Sequence, residues 1–340
     1  MTGASAMRAL VLDGANLPFR NVEVARPTPG DGQILVRIKA SGVNPLDLKI
    51  RSGSAPHARH PLPGILGMDL AGIIEQVGPG VTGFKAGDEV YGLTGGVGGL
   101  QGSLAEFATV DADLLALKPS SLDMREAAAI PLVVITAWEG LVDRAEVQAG
   151  QKVLIHGAGG VGQMAMQLAR AYGAEVFAAD SAAKRNIIEQ FGATAIDRET
   201  TVVDYVRQHT DGRGFDIVYD TIGGTALDAS FNAVARFGHV VSCLGWGTHA
   251  LAPLSFRAAT YSGVFTLLPM LSGEGRPHHG EILRETAKLV DAGRMKPILD
   301  SRRYNLDQVM DAYLAIDQRR AVGKVVIDIV DLSATPPFQP

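Results

Sequence analysis

At 340 residues the chain exceeds the ~250 to 300 residues at which single hydrophobic cores stop growing, which predicts two domains. Hydrophobic residues make up 46% and charged residues 20%, a globular composition, and no apolar run approaches the ~20 residues of a membrane span. A formal charge of -5 with scattered basic residues gives no electrostatic footprint for nucleic acid, and one cysteine, Cys243, excludes a disulfide framework or a cysteine-rich metal cluster. The opening MTGASAMRAL lacks the charged start, long apolar stretch and cleavage site of a secretory signal, so a cytoplasmic location is expected and Met1 to Ala6 read as a loose extension.

From Ala9 to about Ala127 the pattern is short strands broken by glycine and proline: ILVRIKASGV, AGIIEQVG, DEVYGL and LAEFATV, an all-β unit. Within it GLTGGVGGLQGS, Gly92 to Ser103, reads as a mobile loop because it is too rich in glycine for a regular element. From Ala128 strands and helices alternate, the signature of a parallel sheet covered on both faces. Strands are expected at KVLIH, AEVFAA, ATAI, DIVYDTI, HVVSCLG and GVFTLL, with helices at GQMAMQLARAY, AKRNIIEQF, TVVDYVRQH and ALDASFNAVARF. These helices run up to Gly173, Gly192, Gly212 and Gly238, as a left-handed C-terminal residue favours. Six such strands make a complete doubly wound domain. After Pro269 the helical stretches HGEILRETAKLVDAG and LDQVMDAYLAIDQRR and a strand GKVVIDIV are too little for a core of their own, and are expected to complete the β-rich unit. The predicted domains are therefore 1–127 with 268–340, and 128–267. The tail LSATPPFQP reads as disordered.

The strongest chemical signal is KVLIHGAGGVGQMAMQLARAYGAEVFAAD. Gly157, Gly159 and Gly162 form G-x-G-x-x-G between a strand and a helix, with Ala158, Gly160 and Val161 between them. The first glycine permits the tight turn, the second lets the backbone approach a pyrophosphate, and the third allows close helix packing, while the helix N-terminus supplies N–H donors and a positive dipole. Asp180, at the end of the second strand and 23 positions after Gly157, completes a dinucleotide-binding pattern. An acidic side chain there suits the ribose hydroxyls of NADH and repels the 2′-phosphate of NADPH. Ser181, Lys184, Arg185 and Arg198 nearby are what a phosphate would want. Cofactor preference is therefore open between NADH and NADPH.

Four segments, ASGVNPLDLKIRSG (40 to 53), PGILGMDLAGIIEQVGPGVTGFKAGDEVYG (63 to 92), AAAIPLVVITAWEGL (127 to 141) and HGAGGVG, resemble in order and spacing the medium-chain dehydrogenase/reductase superfamily. N-P-L-D-L-K-I-R-S-G is similar to the signature of its zinc-less quinone oxidoreductase branch, the zeta-crystallin-like proteins. The resemblance, from Met7 to about Val330, implies an α/β architecture: a GroES-like, β-rich catalytic domain plus a Rossmann, doubly wound parallel-sheet domain. Zinc-dependent relatives hold the catalytic metal with residues that match Asn44, Met68 and Leu132, an amide, a thioether and an alkyl group that make no competent tetrahedral site. The histidine pairs His57 with His60 and His278 with His279 have no acidic or cysteine company and read as surface loop residues.

Chemistry without a Lewis acid suggests hydride transfer to a conjugated acceptor, a quinone or the β-carbon of an enone. The resemblance implies that Asn44 and Thr136 hold the nicotinamide ribose or carboxamide, with Asn44 also near the substrate as the candidate catalytic residue. Asparagine before Pro45 also suits a plain turn. Thr221, Gly223, Leu244 and Gly245, at strand C-terminal ends, are expected to flank the cofactor. Lys324 is a further family-based candidate. Many NADPH-using members carry tyrosine where Arg198 stands and a small residue in place of Asp180; branch habit and the basic pair incline the reading toward NADPH, against Asp180. Relatives are often dimers through the Rossmann sheet edge, so a homodimer is expected. The alternatives are a zinc-less alcohol dehydrogenase-like enzyme, an enoyl-thioester reductase, for which a tyrosine donor is missing before Tyr91, and a non-catalytic cofactor-binding protein of crystallin type.

Overall fold

The computed structural model describes residues 6–329. The extension 1–5 and the tail expected to be disordered lie outside them, and Ala6 already opens a strand, Ala6–Leu12. The chain forms two compact units: Met1–Leu132 with Leu267–Asp291 and Lys296–Pro340, and Val133–Thr266 with Ala292–Met295.

The first unit is built on Gln33–Gly42, whose run of apolar residues is buried on both faces. Asp69–Val77 and Phe107–Asp111 pair with it antiparallel, and Val326–Asp328, from the end of the chain, pairs along Ala40 to Gly42. The returning segment thus joins the β-rich sheet. A smaller sheet of Phe19–Ala25, Ala6–Leu12 and Gly64–Ile65 packs Met7 and Ala9 against Leu35, Ala105 and Phe107.

The second unit is a six-stranded parallel sheet in the order Thr194–Asp197, Glu175–Asp180, Lys152–His156, Phe215–Asp220, Val234–Ser242, Thr260–Gly263. Chain order reverses between Lys152–His156 and Phe215–Asp220, the point beside which doubly wound sheets bind ligands. The core of this unit gathers Leu154, Phe177, Tyr205, Phe215, Phe231 and Val240 between sheet and helices. His156 is a core residue as well, its Nδ1 2.8 Å from Ser230 Oγ.

Four local expectations are corrected. Gly92 to Ser103 is not a free loop: Gly92 and Leu93 belong to a strand, Val97 is fully buried, and the amides of Gly98, Gly102 and Ser103 donate to the carbonyls of Ala58, Ile65 and Gly67. Backbone hydrogen bonds satisfied one by one stabilise a glycine-rich segment that has few side chains to pack. The helix at ALDASFNAVARF ends at Ala233, because β-branched Val234 turns extended and enters the strand Val234–Ser242, placing Gly238 inside a strand. The last strand is Thr260–Gly263, upstream of most of GVFTLL. His278 and His279 lie on the helix Arg276–Asp291, and His279 is fully buried rather than on a surface loop.

Candidate active site

In the second unit the strand Lys152–His156 ends at Gly157, whose φ of +99° only glycine adopts without strain. The helix Gly160–Ala171 starts directly after, with Gly159 as its N-cap and no side-chain cap. A Cβ on Gly162 would lie 1.8 Å from the Gly157 carbonyl oxygen, so the return of the helix onto the turn requires glycine there. A Cβ on Gly159 would meet nothing within 4 Å. The open face at Gly159, beside first-turn amides that helix geometry leaves without intrahelical partners, fits a pyrophosphate.

Strand ends complete the rim of this turn. Thr221 Oγ1 donates to the His156 carbonyl at 2.7 Å. Gly223 N donates to Asp220 Oδ1 at 2.9 Å, and Ser242 Oγ donates to Asp220 Oδ2 at 2.6 Å. Leu244 N in turn donates to Ser242 Oγ at 3.1 Å, with Gly245 next in sequence. Thr221 thus meets the glycine turn at His156, and one buried carboxylate that sequence reasoning passed over, Asp220, ties Gly223 to the strand end that carries Leu244 and Gly245. An acid ending the apolar run DIVYD was the available signal. Thr136 is held to the same sheet, its carbonyl accepting from Tyr219 Oη at 2.6 Å.

Asp180 has a task of its own. Its Oδ2 accepts from Ala158 N at 2.7 Å and its Oδ1 from Ser181 N at 2.6 Å, so the carboxylate braces the glycine turn. Arg198 N donates to the Asp180 carbonyl, but its exposed guanidinium pairs with Glu199 at 3.2 Å. Arg185, also exposed, pairs with Glu189 at 3.2 Å. Exposed pairs of this kind contribute ~0 to 1 kcal/mol and rearrange readily.

The first unit holds a second cluster. Asn44 caps the helix Pro45–Arg51, and its backbone N–H donates to Asp47 Oδ2 at 2.8 Å. The Asn44 amide is gripped at both ends: Nδ2 donates to Asp69 Oδ2 at 2.9 Å, and Oδ1 accepts from Lys324 Nζ at 2.5 Å. Lys324 Nζ also donates to the Val43 carbonyl at 3.1 Å and lies 3.8 Å from Asp69 Oδ2, while Asp69 Oδ1 accepts from Leu132 N at 2.9 Å. Met68, fully buried, precedes Asp69. Asp47 Oδ1 is buried without a hydrogen-bond partner. Burial drives the Asp47 carboxyl up to about 7, against the Asn44 N–H that favours its anion, with Asp69 raising it further and Lys324 lowering it. Burial likewise raises Asp69, opposed first by Lys324, and lowers Lys324, opposed first by Asp69. Asp69 too went unread in the sequence, although an acid inside ILGMDLAGII is the same kind of signal. Among the described residues no group of three or more His, Cys, Asp or Glu is arranged to hold a metal ion.

Residues 191–327 match the zinc-binding dehydrogenase family and residues 30–120 the alcohol dehydrogenase GroES-like domain. The chain is similar to the NADPH-dependent alkenal/one oxidoreductase of Arabidopsis thaliana, 34% identical over 311 residues, 88% of this chain and 73% of that protein. It is 32% identical over 331 residues to the quinone oxidoreductase of Sus scrofa, 95% of this chain and 97% of that protein. Among solved structures, an alcohol dehydrogenase superfamily protein from Novosphingobium aromaticivorans superposes with a TM-score of 0.94 at 58% identity, covering 95% of this chain and all of that one. The chain belongs to the medium-chain dehydrogenase/reductase superfamily, in its quinone and enone reductase branch, and is an oxidoreductase.

Proposed function

We propose that this protein is a zinc-independent NAD(P)H-dependent reductase that delivers hydride to a quinone or to the β-carbon of an α,β-unsaturated carbonyl. One observation carries the reading. Where zinc-dependent relatives would place metal ligands, this chain has Asn44, Met68 and Leu132, and the Asn44 amide is bonded to Lys324 and Asp69 instead. An amide held by an ammonium and a carboxylate orients a partner and does not act as a Lewis acid. A conjugated acceptor suits such a site, because charge developing on hydride addition is delocalised through its π system.

The cofactor, when bound, supplies the hydride. Gly157, Ala158, Gly159, Gly160, Val161 and Gly162 hold its pyrophosphate, with the amides of Gly160 and Val161 as donors. Thr221, Gly223, Leu244 and Gly245 would flank it, and the family resemblance assigns Asn44, Thr136 and Lys324 to the nicotinamide end. The choice between NADH and NADPH rests on an opposition: the Asp180 carboxylate repels a 2′-phosphate, while Ser181, Arg185 and Arg198 attract one. The NADPH dependence in the name of the Arabidopsis relative supports the second influence. A homodimer in the cytoplasm completes the proposal. The dimer is supported by the terminal strand Thr260–Gly263, whose outer edge pairs with no strand among the described residues and carries exposed Tyr261. No helix of the described residues is long and apolar enough to cross a membrane.

The test is oxidation of NADH and NADPH by chelator-treated protein with a simple quinone, an enone and the saturated ketone matched to it. Turnover with the first two and none with the third is expected. If both cofactors bound and neither was consumed, the chain would be a cofactor-binding protein without this activity.

A further inference from the structure

Two strands of the second unit, Phe215–Asp220 and Val234–Ser242, end side by side, with Asp220 and Ser242 paired in register. Beyond these ends the chain segments 221–223 and 243–245 touch. Gly223 stands at a φ of +81°, and a Cβ there would lie 2.5 Å from the Leu244 carbonyl oxygen, so only glycine lets the segments approach this closely.

One side chain organises both segments. The Asp220 carboxylate is fully buried, and its Oδ1 accepts from Ile222 N at 3.1 Å and Gly223 N at 2.9 Å. Its Oδ2 accepts from Gly223 N at 3.1 Å and from Ser242 Oγ at 2.6 Å. Ser242 Oγ, also buried, donates its one hydrogen in that bond and accepts from Leu244 N at 3.1 Å. The Asp220 carbonyl accepts from Cys243 N at 3.3 Å as well. A buried carboxylate is tolerated where donors meet its oxygens, and here those donors include the first amides beyond the strand. The amides of Ile222, Gly223 and Leu244 turn toward Asp220 and Ser242, so what they fix is the path of the backbone.

Sheet order sets which part of a bound dinucleotide this bears on. Glu175–Asp180 lies on one side of Lys152–His156 and its glycine turn, and Phe215–Asp220 and Val234–Ser242 lie on the other. A dinucleotide crosses the point where strand order reverses, with its halves on opposite sides. With Asp180 at the adenosine ribose, segments 221–223 and 243–245 fall to the other half. Resting on the reading that these segments flank the cofactor, we infer that Asp220, directly and through Ser242, positions the backbone that seats the nicotinamide riboside. Asp220 and Ser242 act through the segments they hold and are positioning residues.

ADP and its 2′-phosphate are the probes, because they keep the adenosine and bridging phosphates of NADH and NADPH and lack the nicotinamide riboside. Affinities for each cofactor and its matching fragment are measured by titration, without substrate. Ser242→Ala should weaken the full cofactor about 10-fold, the effect of one hydrogen bond lost from a buried amide, and leave the fragment within about 2-fold. Asp220→Ala, which releases both segments, should weaken the full cofactor further and again spare the fragment. Fragment binding also reports that a variant is folded; where Asp220→Ala fails to bind it, Ser242→Ala decides. Equal losses for cofactor and fragment overturn the inference, because Asp220 then supports the whole domain, and unchanged affinity for both overturns it too. Wild-type protein that binds the fragment as tightly as the full cofactor refutes instead the reading that these segments flank the cofactor. Wild-type protein that binds neither refutes the cofactor reading altogether.

Discussion

Lys324 Nζ and Asn44 Oδ1 are hydrogen-bonded at 2.5 Å although 280 residues separate them in the chain. The bond ties the returning C-terminal segment to the turn that carries the candidate catalytic residue, and it depends on a buried charge balance. Lys324 is the cation between the Asp69 and Asp47 carboxyls.

Lys324→Met should therefore destabilise the first unit by about 3 to 5 kcal/mol, the range for leaving a buried charge unpaired. Chemical denaturation at neutral pH measures it. Adding Asp69→Asn, which removes the stranded charge, should recover part of the loss. Strictly additive costs for the two changes would show that Lys324 and Asp69 do not act as a pair.

Asp47 predicts a pH dependence of stability. Its carboxyl titrates at about 7 in the folded chain against 3.8 ordinarily, so between those values the native state holds a proton that the unfolded chain has released. The stability it contributes is fully present below 3.8 and lost as pH rises through about 7. Asp47→Asn keeps an acceptor for the Asn44 N–H and removes the titration. Relative to wild type, the variant should gain up to ~4 kcal/mol between pH 4 and pH 7. A constant difference across that window would contradict the assignment. Asp69 is raised with the same sign and persists in both proteins.

The glycines of the phosphate turn should separate folding from binding. Gly162→Ala drives a Cβ to 1.8 Å from the Gly157 carbonyl, so both thermal stability and cofactor affinity should fall. Gly159→Ala meets nothing within 4 Å. Its melting temperature should stay near that of wild type while cofactor affinity drops about 10-fold or more, because the methyl stands where the pyrophosphate approaches. Undiminished affinity in Gly159→Ala would remove the pyrophosphate from this turn.

Asp180→Ala should raise the preference for NADPH over NADH by about 10-fold or more, as a negative charge facing the 2′-phosphate is lost. The change also strips the acceptor from the Ala158 and Ser181 amides, so a loss of about 1 to 2 kcal/mol in stability is expected. Binding of each cofactor, measured apart from turnover, distinguishes the two effects. An unchanged ratio with lowered stability would make Asp180 a brace of the turn and nothing more.

Much of the fold was legible because it is written in local patterns. The alternation of apolar strands and amphipathic helices after Ala128, and the glycine spacing at 157, 159 and 162, depend on near neighbours in the sequence. What escaped was set by distant ones. Gly92 to Ser103 is ordered by carbonyls of Ala58, Ile65 and Gly67, which no local pattern reveals. The helix after Gly224 stops at Ala233 because Val234 pairs with Phe215 across the sheet, not at the glycine that sequence reasoning chose. Asp69 and Asp220 form bonds with residues 22 to 63 positions away, and each is an acid in a largely apolar stretch. Asn44 and Thr136 entered through family resemblance, since asparagine before proline and threonine in an apolar helix carry no local chemical signature.

Locating a transferred label tests the central claim most directly. NADH or NADPH deuterated at nicotinamide C4 is oxidised with an α,β-unsaturated ketone by protein freed of metal with a chelator, and the product is examined by NMR. The account predicts a saturated ketone with deuterium on the former β-carbon and a rate unaffected by the chelator. Deuterium at the carbonyl carbon of an allylic alcohol, or activity that vanishes on chelation and returns with zinc, would contradict it.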